Sequence, residues 1–209
     1  MKREEKNALS RQRILDAAME EFSGKGYEGA SLNTVCSVKG ISKGIIYHYF
    51  KDKNELYLLC VEECFREVTA YLQEHTASSD GPAGKRLQDY FNARLRFFAD
   101  HPLCLGIFAE AVFNPPAGLK AGIAARKQDF DRLNISVLTK LLESEPLREG
   151  LTVSSIVEDF RMYMDIFNMR FQADVRDGRP MEELLKEHEE RCHRQLDIML
   201  YGVLGERNA

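Results

Sequence analysis

The 209-residue chain has no long apolar run, no CxxC pair and almost no strand pattern. No stretch approaches the roughly eighteen consecutive apolar residues that a membrane-spanning helix needs. The charged N-terminus is not followed by the apolar segment of a secretory signal. We therefore expect a cytoplasmic protein that does not span a membrane. The five scattered cysteines predict neither a disulfide framework nor a cysteine-rich zinc cage: Cys36, Cys60, Cys64, Cys104 and Cys192.

The motifs of familiar catalytic sites are also missing. The sequence shows no nucleophile–base pairing, no glycine-rich phosphate loop and no metal-binding motif. An all-α hydrolase or transferase is therefore a disfavoured hypothesis, which turnover of a substrate by the purified protein would revive.

Charge is unevenly distributed along the chain. The net charge is −4, yet residues 1–53 contain ten lysines and arginines and seven acidic residues, a surplus of +3. The remainder has 19 basic and 26 acidic residues, a balance of −7. A basic head on an acidic body is typical of a protein that contacts phosphate through its head alone.

Helical periodicity runs nearly from end to end and predicts an all-α protein. Glycine or serine marks the ends of the short N-terminal helices, and prolines separate the later ones. The stretch 75–84 reads as a linker, and residues 177–180 as a turn. We expect a first helix over 10–23 that Gly24 and Gly26 terminate, a second from Ser31, a third from Ser42 and a fourth from Asp52 or Lys53 to Leu72, followed by helices near 83–100, 102–113, 118–143, 153–175 and 180–203.

Ser31 to Leu56 contains two short helical patterns joined by a turn at Gly40. This arrangement predicts a helix-turn-helix whose second helix enters the DNA major groove. Helical spacing places Ile46, Tyr49 and Phe50 inward, where they would hold the second helix on the first helix of the chain. An outward Ile45 is unfavourable in water but suits a thymine methyl group.

The polar residues around this helix suit phosphate contacts. Tyr47 and His48 can bond phosphate oxygens, and Lys53 adds charge where the fourth helix begins. Gly44 would let the backbone approach DNA closely. The predicted DNA-binding residues are Ser31, Thr34, Ser42, Lys43, Gly44, Ile45, Tyr47, His48 and Lys53.

Residues 10–56 resemble the N-terminal domain of the TetR family of transcriptional regulators. The matching features are Phe22, Gly26-Tyr27, Ser31, Val35, Gly40-Ile41-Ser42, Gly44, Tyr47, Tyr49-Phe50, Lys53 and Leu56. The resemblance implies an all-helical homodimer with a variable ligand-sensing C-terminal domain. Such a protein is usually a repressor that a small molecule releases from its operator. We accordingly expect a helix-turn-helix DNA-binding domain over 1–53 and a helical ligand-binding and dimerisation domain over 54–209.

The helix predicted over 153–175 is apolar on two faces. One stripe runs from Val153 to Phe171, and Met162, Ile166, Met169 and Ala173 form a second on nearly the opposite side. A two-faced helix packs on its own core and on a partner, or lies wholly inside a monomer. We favour a homodimer through helices 153–175 and 180–203, in a four-helix interface. Burial within a monomer is the alternative.

A pocket in the C-terminal half should be lined by aromatic and sulfur side chains with a few polar groups. The predicted ligand-binding residues are Arg94, Phe97, Cys104, Phe108, Tyr163 and Phe167, with Phe98, Phe113, Asn134 and Asn168 as further candidates. No cofactor or metal is expected, but two alternatives stay open. Cys60 and Cys64 could sense oxidants rather than fill the core, and His188, Cys192 and His193 could hold a metal.

Overall fold

The computed structural model describes residues 3–38, 40–77, 80–175 and 181–203. These residues form ten α-helices and one 3-10 turn, and no strand occurs among them, which confirms the all-α prediction. None of the helices searched in the described ranges is long and apolar enough to cross a bilayer. The helices are α1 (Arg3–Gly29), α2 (Leu32–Val38), α3 (Lys43–Tyr49), α4 (Lys53–Thr76), α5 (Ala83–Asp100), α6 (Pro102–Phe113), α7 (Lys120–Arg126), α8 (Gln128–Glu143), α9 (Val153–Val175) and α10 (Met181–Val203), with the 3-10 turn at Ala117–Leu119 before α7.

The chain packs as two compact units. The first comprises Met1–Glu67 and Phe98–Gln128, and the second comprises Val68–Phe97 and Asp129–Ala209. These units are defined by packing alone. The boundary between a DNA-binding domain over 1–53 and a ligand-binding domain over 54–209 stays a prediction.

In the first unit, α1 supplies one wall of the core. Ile14, Leu15, Ala18 and Phe22 are buried on one face, as their spacing predicts. The Phe22 ring meets the Tyr57 ring of α4 edge-on, with centroids 5.1 Å apart. Aromatic pairs prefer this geometry, so α1 and the start of α4 are held in one orientation.

In the second unit, α5, α8, α9 and α10 share one apolar core. Ten buried side chains form its centre, and the inward stripe of α9 packs against them, as predicted. The buried members are Ala83, Leu87, Phe91, Leu138, Leu141, Leu142, Ile156, Cys192, Leu196 and Leu200.

Two helix boundaries differ from prediction. Helix α1 begins at Arg3 rather than Ser10. The sequence does not indicate this earlier start, because the polar residues before Ile14 are mostly exposed and show no apolar periodicity. The helix predicted over 118–143 is three pieces. Lys127 leaves helical geometry with φ −92° and ψ 3°, and its N–H donates to Ile123 O at 3.1 Å. No proline or glycine marks that break in the sequence.

Two glycines make the turns on which the N-terminal helices depend. Gly26 has φ +67° and interrupts α1, and Gly40 has φ +63° between α2 and α3. Residues with a Cβ rarely adopt this left-handed region, so glycine is required at both positions. Gly24 has no positive φ and lies within α1 rather than ending it. The turn predicted at 177–180 lies outside the described residues.

Candidate nucleic-acid interface

Helix α3 is fastened to the first unit by its apolar side. Ile46 is fully buried and Phe50 nearly so, as predicted. The Phe50 N–H caps the helix by donating to Ile46 O at 2.8 Å, and the Arg11 guanidinium lies 5.8 Å from the centre of the Phe50 ring. The prediction that Tyr49 points inward is wrong in part. Tyr49 is half-buried, because its hydroxyl reaches 3.2 Å to Oδ1 of the exposed Asn7 on α1.

The opposite side of α3 is open. Tyr47 is 55% exposed and Ile45 42% exposed, although both are large and carry apolar surface. A partner surface that covered Ile45 and Tyr47 would remove this apolar area from water, so this side of α3 is a candidate contact surface. The other predicted DNA-binding residues on this helix and at its N-cap are also exposed: Ser42, Lys43, Gly44 and His48.

The start of α2 is fixed by a buried carboxylate. The Ser31 hydroxyl accepts from Asn33 N–H at 3.2 Å and caps the helix, as predicted. Ser31 N–H donates to Glu21 Oε1 at 3.0 Å, and Lys25 Nζ lies 2.9 Å from the same carboxylate. Thr34, also predicted to bind DNA, is half-buried and faces Glu21 as well. The structure therefore places Ser31, which caps α2, and Thr34 in its first turn against one carboxylate, that of Glu21.

Burial alone would raise the pKa of the Glu21 carboxyl, but the hydrogen bonds from Lys25 and Ser31 outweigh it and hold that pKa below its usual 4.5. The folded state therefore binds this proton less tightly than the unfolded chain. The stabilisation is present above pH 4.5 and is lost as the pH falls through the lowered value.

We expect Glu21→Gln to reduce the free energy of unfolding at pH 7 by about 1–2 kcal/mol, because the charged acceptor is lost. The difference from wild type should shrink as the pH falls below 4.5. Urea unfolding at several pH values measures this. A difference that does not change with pH would contradict the electrostatic origin.

A reciprocal cap starts α4. Asp52 Oδ1 accepts from Glu55 N–H at 2.9 Å, and Glu55 Oε2 accepts from Lys51 N–H at 2.6 Å. Lys53 follows directly, but it does not project freely. Its Nζ lies 4.5 Å from the centre of the Tyr27 ring and 3.4 Å from Glu28 O. Lys53 is therefore half-buried and held against the segment that follows the Gly26 break.

Sequence reasoning missed how that segment is anchored. Tyr27 N–H donates to both carboxylate oxygens of Glu110 on α6, at 2.7 and 2.9 Å. The partners are 83 residues apart, so no local pattern joins them. One signal was available, since Glu110 is the single charged residue in the otherwise apolar sequence of α6.

The six predicted ligand-binding residues are divided between the two units. Cys104 and Phe108 lie on α6 in the first, where Cys104 Sγ is 3.3 Å from Glu67 Oε2 and the Phe108 ring packs 4.7 Å from Phe98. The other four lie on α5 and α9 in the second unit. There Arg94 is buried 4.8 Å from the Phe91 ring, Phe97 is buried 5.4 Å from the Tyr71 ring, Phe167 is half-buried, and Tyr163 is 37% exposed.

A small pocket lies between α9 and α10 in the second unit. Phe167 is the predicted ligand-binding residue that lines it. His188 is buried there, with Nε2 3.6 Å from Cys192 Sγ. Within the described ranges no three His, Cys, Asp or Glu side chains are grouped to hold a metal. The lining residues are Phe167, Arg170, Phe171, Leu184, Glu187, His188 and Arg191.

None of the five cysteines forms a disulfide, and all five are buried. Cys60 and Cys64 are fully buried in the core of the first unit, and burial raises the pKa of both thiols. A buried thiol with a raised pKa reacts poorly with oxidants. The observed environment favours a packing role for these two residues over oxidant sensing.

Comparison with known proteins agrees with this geometry. Residues 14–60 match the family model described as bacterial regulatory proteins, tetR family. The curated regulator BetI of Klebsiella pneumoniae (strain 342) is 34% identical over 38% of this chain and 42% of its own length. BetI of Escherichia coli O127:H6 is 33% identical over 39% and 42%. The matched region thus spans less than half the length of these curated relatives.

Similarity to solved structures extends over the whole fold. A tetR-family regulator from Mesorhizobium loti has a TM-score of 0.64 at 18% identity, covering 98% of this chain and 100% of its own. FadR from Bacillus subtilis, solved in complex with stearoyl-CoA, has a TM-score of 0.63 at 18% identity, covering 86% and 96%. At this identity the likeness shows a shared fold.

The exposed side of α3, held in place by the buried Ile46 and Phe50, has the geometry of a helix-turn-helix, and residues 14–60 match the tetR family model. The relatives found are transcriptional regulators, so the enzyme hypothesis is not supported. The resemblance to the TetR family of transcriptional regulators is thus supported over residues 14–60.

Proposed function

We propose that this protein is a transcriptional repressor that binds palindromic operator DNA as a homodimer. A small molecule bound by the C-terminal domain releases it. The observation that supports DNA binding most directly is the exposure of Ile45 and Tyr47 on a helix whose other side is anchored by Ile46 and Phe50. Such a helix offers a rigid, partly apolar edge to the major groove, with polar and cationic groups beside it.

The proposed contacts divide into two kinds. Ile45 would meet a thymine methyl, and Gly44 would let the backbone come close to the duplex. Ser31, Thr34, Ser42, Lys43, Tyr47, His48 and Lys53 would contact phosphates and fix the register of the helix on DNA. Lys53 would do so from its position beside Tyr27, so its contact depends on how Tyr27 is held.

The homodimer would form through α9 and α10. Both helices carry large apolar side chains exposed by half or more, including Met162, Ile166, Met169, Ile198 and Tyr201. Dimerisation would set the two copies of α3 about 34 Å apart, the length of one DNA turn, to fit a palindrome. A ligand that prefers a different spacing would release DNA through its differential affinity for the two states.

The effector would be moderately large and partly apolar. Arg94, Phe97, Cys104, Phe108, Tyr163 and Phe167 are the residues proposed to contact it, as the largely aromatic lining of such sites suggests. FadR of Bacillus subtilis was solved with stearoyl-CoA, so long-chain acyl-CoA is a reasonable first probe. Release of bound DNA by stearoyl-CoA, with no effect of free CoA, would support this class of effector.

Binding-site selection from random duplexes, followed by fluorescence anisotropy on the selected sequence, tests the function. We expect a palindromic site bound with strong salt dependence. Tyr47→Ala should weaken binding about tenfold. Lys43→Ala should weaken it severalfold and lower the salt slope by about one. Lys140→Ala, an exposed lysine on α8, is the matched control and should change nothing.

Two results would go against this assignment. Unaltered affinity in the α3 variants would show that these residues do not contact DNA. If the wild-type protein selects no sequence and shows no salt-dependent binding, a module that binds other proteins becomes the better explanation. A reporter with the selected site in its promoter then decides repression, since loss of the regulator should raise expression.

A further inference from the structure

The joint between α6 and the end of α1 contains a half-buried charge on an otherwise apolar helix. Glu110 is half-buried, and burial raises the pKa of its carboxyl even though Tyr27 N–H and Tyr57 on α4 lower it. Among charged neighbours, Glu28 opposes its ionisation and Lys53 favours it. Keeping an ionised group there therefore costs stability at neutral pH. An apolar residue would match the rest of α6 better.

The local backbone is shaped around this carboxylate. Gly26 has a φ of +67°, which favours glycine, and the Glu110 carboxylate lies close against it, 2.9 Å from the place a Cβ would take. The same carboxylate accepts the Tyr27 N–H in two bonds, at 2.7 and 2.9 Å. The break in α1 is thus closed by a side chain from α6.

Tyr27 connects this joint to the DNA-binding segment. Its ring supports the Lys53 ammonium at 4.5 Å, and its hydroxyl bonds Asn54 Oδ1 at the start of α4. The ring also meets the Tyr57 ring edge-on, with centroids 5.1 Å apart. A displacement of Glu110 would therefore move Tyr27, and Tyr27 would in turn move Lys53.

A second partner for the carboxylate is already present. The buried Tyr57 hydroxyl interacts with the Glu110 carboxylate, and burial together with this carboxylate raises the pKa of Tyr57. The same carboxylate therefore interacts with Tyr27 on α1 and with Tyr57 on α4. A movement of α6 that displaces Glu110 must alter both contacts.

We infer that Glu110 is a positioning residue that transmits movement of α6 to the helix-turn-helix by holding or releasing the Tyr27 backbone. The inference rests on the proposed function, because it assigns a role in DNA release. Coupling of this kind is reciprocal, so DNA binding at α3 must alter α6 in turn. That reciprocity allows a test without knowing the effector.

Hydrogen–deuterium exchange of the full chain, with and without the selected operator, provides the test. In Glu110→Ala the Tyr27 amide should exchange about tenfold faster or more, because a charge-assisted bond is lost. Glu110→Gln, which keeps one acceptor, should show a smaller change. Glu28→Gln removes a charge at the same joint without touching these bonds, and should leave Tyr27 exchange as in wild type.

Operator binding should change exchange across 102–113 in wild type, and this response should be largely lost in Glu110→Ala and Glu110→Gln. Tyr57→Phe removes the second partner and should also weaken the response while leaving Tyr27 protected. Thermal melts separate this role from a structural one. Glu110→Gln should be at least as stable as wild type at pH 7, with the gap closing as pH falls towards 4.5.

The outcomes separate the two proposals. Unchanged Tyr27 exchange in Glu110→Ala, or an undiminished α6 response in a variant that still binds operator, would overturn the role of Glu110 alone. A wild-type protein that binds operator without any response in α6 would overturn it as well. Failure of the wild-type protein to bind any duplex would overturn the proposed function, and the role in DNA release with it.

Discussion

Gly106→Ala should destabilise the protein by about 1–3 kcal/mol, the usual cost of overpacking a tight contact. Gly106 lies within α6, where alanine would ordinarily favour the helix by about 1 kcal/mol. At this site, however, a Cβ would overlap Ser23 Oγ and lie 2.9 Å from Ser23 O and 3.1 Å from Ser23 Cα. Because two of these atoms are backbone, α1 and α6 must move apart to admit the methyl group.

Thermal or urea unfolding measures the effect, with the melting temperature expected to fall by about 2–4 °C for each kcal/mol at this chain length. Gly24→Ala is the matched control. A Cβ on Gly24 meets nothing within 4 Å, so this variant should be neutral or more stable. Adding Ser23→Ala to Gly106→Ala should restore only part of the loss, since the backbone contacts remain. A Gly106→Ala protein as stable as wild type would show that α1 and α6 do not pack this closely in solution.

The glycines of this chain show which structural features can be predicted from the sequence alone. Gly26 and Gly40 were predictable, because a glycine between two helical patterns indicates a turn. Gly106 sits inside a helix, where its sequence signature is only a weak helix former. Its importance depends on Ser23, which lies far away along the chain. Close approach between distant elements leaves no local pattern.

In the candidate site, too, local sequence predicts some residues correctly and misses others. Ser31, Asp52 and the inward Ile46 and Phe50 follow from local rules of capping and periodicity, and the structure agrees. The half-buried Tyr49 does not follow, because its hydroxyl reaches Asn7 from another helix. Glu110 was visible as a lone charge in an apolar helix, but its partner on α1 was not. The ligand-binding residues were the least predictable, since core and pocket linings share one composition.

Ile166→Arg should weaken the proposed dimer at least about a hundredfold, because a charge buried without a partner costs several kcal/mol. Ile166 is 50% exposed in one copy of the chain, between Met162 and Met169, which are 55% and 61% exposed. The α10 side chains Ile198 and Tyr201 are 60% and 68% exposed. The inward stripe of α9 packs on the core of its own unit, so burial within a monomer does not account for the outward one.

Sedimentation velocity across a range of concentrations measures the dimer directly. The control is Arg161→Glu, a charge change on an exposed residue of the same helix that helical geometry turns well away from Ile166. It should leave the dimer intact.

Operator affinity should fall together with dimerisation in Ile166→Arg, because only a dimer holds two α3 helices at the spacing of one DNA turn. A far-ultraviolet circular dichroism spectrum unchanged from wild type would show that the variant is folded and would place that loss in the interface. A monomeric wild type, or a dimeric Ile166→Arg variant, would contradict this interface. The apolar face of α9 would then serve another contact, and a different interface would have to set the spacing of the two α3 helices.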